Sequence, residues 1–123
     1  MKRIVNPPGL PDPSGFSHAV ATGDTLYLAG QIGDGETLAQ QFDGALANLL
    51  VALREGGGDA GDLVSLQVFV TDVEAYRASL PELGAVWRRH FGRHYPAMGL
   101  FGVRELFDPA ALVELMGVAV VPG

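Results

Sequence analysis

The stretch "YPAMGLFGVRELFDPAALVELMGVAVV", residues 95–121, holds two apolar runs joined by a turn. In the second run Val113, Leu115, Ala119 and Val121 point to one side of an extended chain, and Leu112, Met116, Val118 and Val120 to the other. Such a strand is apolar on both faces. One carboxylate, Glu114, stands in it among Leu112, Met116 and Val118, so the pattern that sets the fold also poses a chemical question.

Working back from this segment, "LVSLQVFVTD" (63–72) alternates Val64, Leu66, Val68 and Val70 against Ser65, Gln67 and Phe69, which is strand periodicity. Asp72 is a candidate cap for a helix whose Tyr76, Leu80, Leu83, Val86 and Trp87 share a face, with Pro81 placed to kink it and Gly92 to end it. Upstream, Leu38, Phe42, Ala45, Leu46, Leu49, Leu50 and Leu53 recur at three- and four-residue steps over Thr37–Arg54, and "EGGG" stops that helix. "HAVATGDTLYLAGQIG" (18–33) reads as a β-hairpin turning at Thr22–Asp24, and "NPPGLPDPSG" (6–15) as an irregular arm after a short strand at Arg3–Val5. The order β-β-α-β-α-β-β predicts an α+β fold, a mixed sheet with two helices on one face. The second apolar face then needs cover from another copy, so a homo-oligomer is expected.

The 123 residues, 48% of them apolar, suffice for one domain, 1–123, and not for two. A formal net charge of −6 without a long basic run argues against a nucleic-acid surface, which needs clustered Lys and Arg. There is no cysteine, which removes disulfides, thiolate nucleophiles and Cys-based metal sites. No apolar run follows the basic start "MKRIVNPPG" and none reaches the roughly 20 residues of a membrane span, so no membrane partner and a cytoplasmic location are expected.

Glu114 is the leading candidate for chemistry. Aliphatic neighbours would desolvate it, raise its pKa and suit it to general acid/base work; the alternative is an edge strand whose Glu reaches water. Other signals are thinner. His90 and His94 are four apart, but Gly92 intervenes and no third ligand is near, so no metal is expected. "RRHFGRH" (88–94) complements a helix C-terminus. "GGGDAGD" (56–62) runs from helix to strand, the reverse of a phosphate loop. Ser17 and His18 adjoin on a strand and so face apart.

In order and spacing, "DTLYLAGQIG", "LQVFVTDVEAY", "HYPAMGLFGV" and "ALVELMGVAVV" resemble the RidA/YjgF family of reactive-intermediate deaminases, over nearly the whole chain. The resemblance implies a chorismate-mutase-like homotrimer with small-molecule ligand clefts between subunits. It also implies cofactor-independent hydrolysis of imines and enamines of 2-amino acids, such as 2-aminoacrylate, to 2-keto acids and ammonia. The family's "SGQ" is "AGQ" here: Gly30 and Gln31 match, while the pocket serine is Ala29. The family's glutamate near the chain end falls on Glu114, which the resemblance places in the cleft.

Elsewhere the pocket departs from the family. Met98 stands where the family has the arginine that grips the substrate carboxylate, and Leu100 replaces a cysteine or small residue. Phe16 takes the place of a tyrosine, and Leu80 that of an asparagine. An arginine fork makes two charge-assisted hydrogen bonds, each worth about 1.5–3 kcal/mol, so carboxylate recognition should be largely lost. The expectation is a RidA-like hydrolase of altered preference, with Glu114 catalytic and Phe16, Ala29, Gly30, Leu80, Met98 and Leu100 lining the ligand site. The alternative is a non-catalytic trimer binding an apolar metabolite or a protein; the acidic charge disfavours a ribonuclease role.

Overall fold

A computed structural model describes residues 2–122. Among them are strands β1 (Lys2–Val5), β2 (Ala19–Thr22), β3 (Thr25–Gln31), β4 (Leu63–Val70), β5 (Ala97–Gly102) and β6 (Val113–Val120), and helices α1 (Leu38–Glu55), α2 (Val73–Ala78) and α3 (Leu80–Phe91). The strands form one mixed sheet in the order β1-β2-β3-β6-β4-β5, in which only β4 and β5 run parallel. The chain's last strand therefore lies in the middle of the sheet. An edge-strand Glu114 is ruled out by this topology.

α1 starts at a reciprocal cap, with Thr37 accepting from the Gln40 N–H and the Gln40 side chain accepting from the Thr37 N–H. Its buried face presents Phe42, Ala45, Leu46, Leu49, Leu50 and Leu53 to the sheet. A buried Leu contributes about 1.5–3 kcal/mol and a cap about 1 kcal/mol. The packed face, more than the helix end, holds this element. Leu83, Val86, Trp87 and Phe91 of α3 join the same core, which covers Leu66, Val68 and Val70 of β4 and Val113, Leu115 and Ala119 of β6.

The second helix expected from the sequence is divided in two at Ser79. Pro81 has no N–H to give the Arg77 carbonyl, so the ladder restarts with Pro81 in the first turn of α3. The Ser79 N–H closes α2 on the carbonyls of Ala75 and Tyr76. Asp72 caps α2 as expected, accepting from the Ala75 N–H, and α3 ends at Gly92 with φ 61°.

Asp43 ties α1 to α3, accepting from His90 Nε2 at 2.5 Å with Arg89 at 3.4 Å. The His90 hydrogen bond, helped by Arg89, holds the Asp43 carboxyl below its ordinary range. A depressed carboxylate adds stability above its unfolded pKa and loses it as pH falls through the folded value. Asp43→Asn should therefore flatten the acid limb of a stability–pH curve below about pH 4, by at most about 1 kcal/mol for so exposed a pair. Urea titrations at several pH values test this.

All the helices lie on one side. Across the other runs the registered row Ile4–Val20–Tyr27–Val118–Ser65. Ile4, Tyr27, Phe101, Met116 and Val120 are exposed on that same face. The alternate positions of β6 supply part of its apolar character, as the sequence pattern requires, and β1, β2, β3 and β5 supply the rest.

Candidate functional site

Glu114 projects from the centre of this open face. It is in register with Phe69 of β4, which is in register with Phe101 of β5, and the two rings stack at 5.6 Å. On its other side β3 bulges: Leu28 pairs Gly117 and Gln31 pairs Leu115, so Ala29 and Gly30 stand opposite a single residue of β6. The Glu114 side chain occupies the space above Gly30, where an added Cβ would overlap Oε2 and lie 2.9 Å from Cδ. A side chain at position 30 would push the Glu114 carboxyl out of this place. Burial among these groups pushes the Glu114 carboxyl above its ordinary range.

The bulge is anchored from behind. Gln31 and His18 are both buried, and the Gln31 amide donates to His18 Nδ1 at 3.0 Å. The Pro11 carbonyl only accepts, so His18 Nε2 carries the ring proton and donates to it at 2.7 Å. The Ala29 N–H donates to the His18 carbonyl, and the half-exposed Phe16 ring meets the imidazole edge-on at 5.2 Å. This network joins the N-terminal arm to the strand that carries Gly30. Sequence reasoning missed it, because its members are thirteen residues apart and show no periodic signal.

On the helix side of the sheet lies a groove of about 180 Å³ lined by Phe42, Tyr76, Leu80, Leu83, Gly84, Trp87, Tyr95 and Met98. Met98 faces this side because it registers with the buried Leu66. The Trp87 ring is parallel to that of Tyr95, with centroids 6.1 Å apart, and its Nε1–H donates to the His94 carbonyl. Burial raises the Tyr76 hydroxyl above its ordinary pKa. The sequence showed Tyr76, Leu80, Leu83 and Trp87 as one helical face, but a face that packs and one that lines a groove have the same spacing.

The residues expected at the site thus form two groups. Glu114, Gly30 and Ala29 meet on the open face, while Phe16 contacts His18, which anchors the bulge from behind. Leu80 and Met98 meet in the groove, and Leu100 shares the Met98 face in register with Val68. The sheet lies between them. One copy of the chain does not bring the two groups together.

The remaining signals have local partners. His94 Nε2 donates to the Leu63 carbonyl and His90 pairs with Asp43. Among the described residues no three His, Asp or Glu converge as metal ligands, and no helix is long and apolar enough to cross a membrane.

These features define an α+β protein that sets one desolvated carboxyl on an apolar sheet face and an aromatic groove behind it. The family described as Endoribonuclease L-PSP matches residues 11–121, and the chain belongs to that family, the RidA/YjgF proteins. It is similar to a 2-iminobutanoate/2-iminopropanoate deaminase of Dermatophagoides farinae, at 30% identity over 98% of this chain and 97% of the relative. A crystal structure from Mycobacterium tuberculosis, described as a member of the YjgF/YER057c/UK114 family, superposes with a TM-score of 0.83 at 30% identity, covering 98% of this chain and all of that one. RidA from an Antarctic Psychrobacter shares the fold, with a TM-score of 0.85 at 23% identity over 97% of this chain and 99% of that one.

Proposed function

We propose that the protein is a RidA-like, cofactor-independent hydrolase of imines, enamines or related reactive metabolites, with a substrate preference altered by the loss of a carboxylate-binding arginine. The observation that carries this is the Glu114 carboxyl, desolvated on an apolar face and seated over Gly30. The name of the Dermatophagoides relative supports the reaction class.

In this reading three copies assemble through their open faces. Glu114 and Gly30 of one copy then approach the β5 edge of the next, where Leu80 and Met98 lie, and complete a cleft that neither copy holds alone. Protonated Glu114 gives its proton to the imine nitrogen as a water oxygen bonds to the imine carbon and the C=N π pair passes to nitrogen. The water's proton returns to the carboxylate. Glu114 then protonates the amino nitrogen of the carbinolamine, the C–N bond breaks, and ammonia leaves as the C=O forms. The hydroxyl proton restores the acid, so one water is consumed and Glu114 ends as it began.

Met98 offers a 2-imino acid no cation, and no charged side chain lines the groove. Deamination of 2-aminoacrylate-type acids, followed through keto-acid formation, should be slow. Met98→Arg should raise kcat/KM for them about tenfold, the worth of one charge-assisted hydrogen bond. Fast wild-type turnover would refute the altered preference and direct attention to Arg88, Arg93 or Arg104. The same uncharged lining favours a second reading, a non-catalytic trimer that binds an apolar metabolite or a protein partner. Absence of turnover on every imine tested, with saturable ligand binding, would select it.

A further inference from the structure

We infer that the groove between α2, α3 and β5 is a binding subsite for a single uncharged aromatic ring. Its walls carry Phe42, Tyr76, Trp87 and Tyr95, with the flexible Met98 and Leu80 at positions half-exposed to solvent. Aromatic faces and a thioether make dispersion and edge contacts with a ring at little cost in ordering. The size fits as well. A dry cavity of about 150 Å³ accepts benzene, and this solvent-open groove offers about 180 Å³.

Polarity narrows the class further. Trp87 Nε1–H is committed to the His94 carbonyl, which leaves the Tyr76 and Tyr95 hydroxyls as the polar side-chain groups of the lining. Hydroxyls match a neutral carbonyl, phenol or amine substituent and compensate a buried carboxylate poorly. Arg88 is outside the lining, although its Nη1 lies 3.3 Å from where a Gly84 Cβ would sit. The inference rests on the hydrolase reading only in giving the ring the role of a substrate side chain.

Trp87 is the only tryptophan, so its indole N–H gives one isolated ¹H–¹⁵N signal at the groove. Titrating the intact protein with 4-fluoroacetophenone should shift that signal saturably and broaden the ¹⁹F line, while 4-fluorobenzoate should bind at least tenfold more weakly. Met98→Arg should reverse this order, and Leu80→Trp, which fills the groove from a half-exposed position, should abolish ketone binding. No ketone binding, or benzoate binding as tight as the ketone's, overturns the inference; the latter would assign Arg88 to the groove. Ketone binding beside a Glu114→Gln variant of unchanged turnover would sink the hydrolase reading and leave the subsite standing. Glu114-dependent hydrolysis without ring binding would do the reverse.

Discussion

Glu114→Gln should lower turnover of any imine the protein hydrolyses by about 10²–10⁴, the range for a lost general acid/base, while the assembly persists. Gln keeps the shape and hydrogen-bonding reach of the side chain above Gly30 and removes only the proton that titrates. Stability provides an independent check. A carboxyl whose folded pKa is raised by burial is more easily charged in the unfolded chain, so its ionised form destabilises the fold. That cost is absent below the unfolded pKa and fully present above the folded one. At neutral pH the variant should therefore be at least as stable as the parent in a urea titration. The rate–pH profile of the wild type should lose activity as the pH rises through the elevated Glu114 pKa, and the variant should lack that limb. An unchanged rate removes Glu114 from the mechanism; a variant that no longer assembles makes it a structural residue.

The second large effect is expected on the open face. Val118→Lys should convert the assembly to monomers with the secondary structure preserved. Val118 stands between Tyr27 and Ser65 in the registered row across the sheet centre. In an isolated copy a lysine there can extend its amine into water. Against a neighbour's Met116 or Val120 it would be an unpaired buried charge, which costs about 3–5 kcal/mol. Sedimentation velocity on both proteins decides the matter: a wild-type monomer at micromolar concentration, or a lysine variant that sediments as the wild type does, contradicts the proposed interface. Because the cleft is proposed to need two copies, the variant should also be inactive, although its Glu114 and its groove are each intact.

Much of the fold was legible because its signals are local. The α1 pattern from Leu38 to Leu53, the Asp72 cap and the alternation of β6 each depend on residues within a few positions, and each forms as read. Strand order was not legible. Nothing near Glu114 in sequence says that β6 inserts between β3 and β4, since that is decided by which apolar faces α1 covers. The division at Ser79 was half visible in Pro81. At the site, the glutamate stood out as a charge among aliphatics, and Gly30 through its motif. The bulge that brings Gly30 under the Glu114 side chain depends on pairing of β3 with Gly117 and Leu115, far along the chain. The stacked Phe69 and Phe101 beside Glu114 were hidden for the same reason, as was the separation of Glu114 from Met98 by the sheet.

β5 pairs with β4 alone, and its side chains from Ala97 to Gly102 are all at least partly exposed, in contrast to the buried alternation of β4 and β6. The strand gives almost nothing to the core, so exchanging Met98 or Leu100 forfeits little folding free energy. In the proposed cleft, the residues set to choose the substrate, Met98 and Leu100, thereby stand on a strand apart from the buried residues of β4 and β6 that hold the molecule together. A substitution on β5 can therefore change the lining of the groove while leaving the packing of the core as it is.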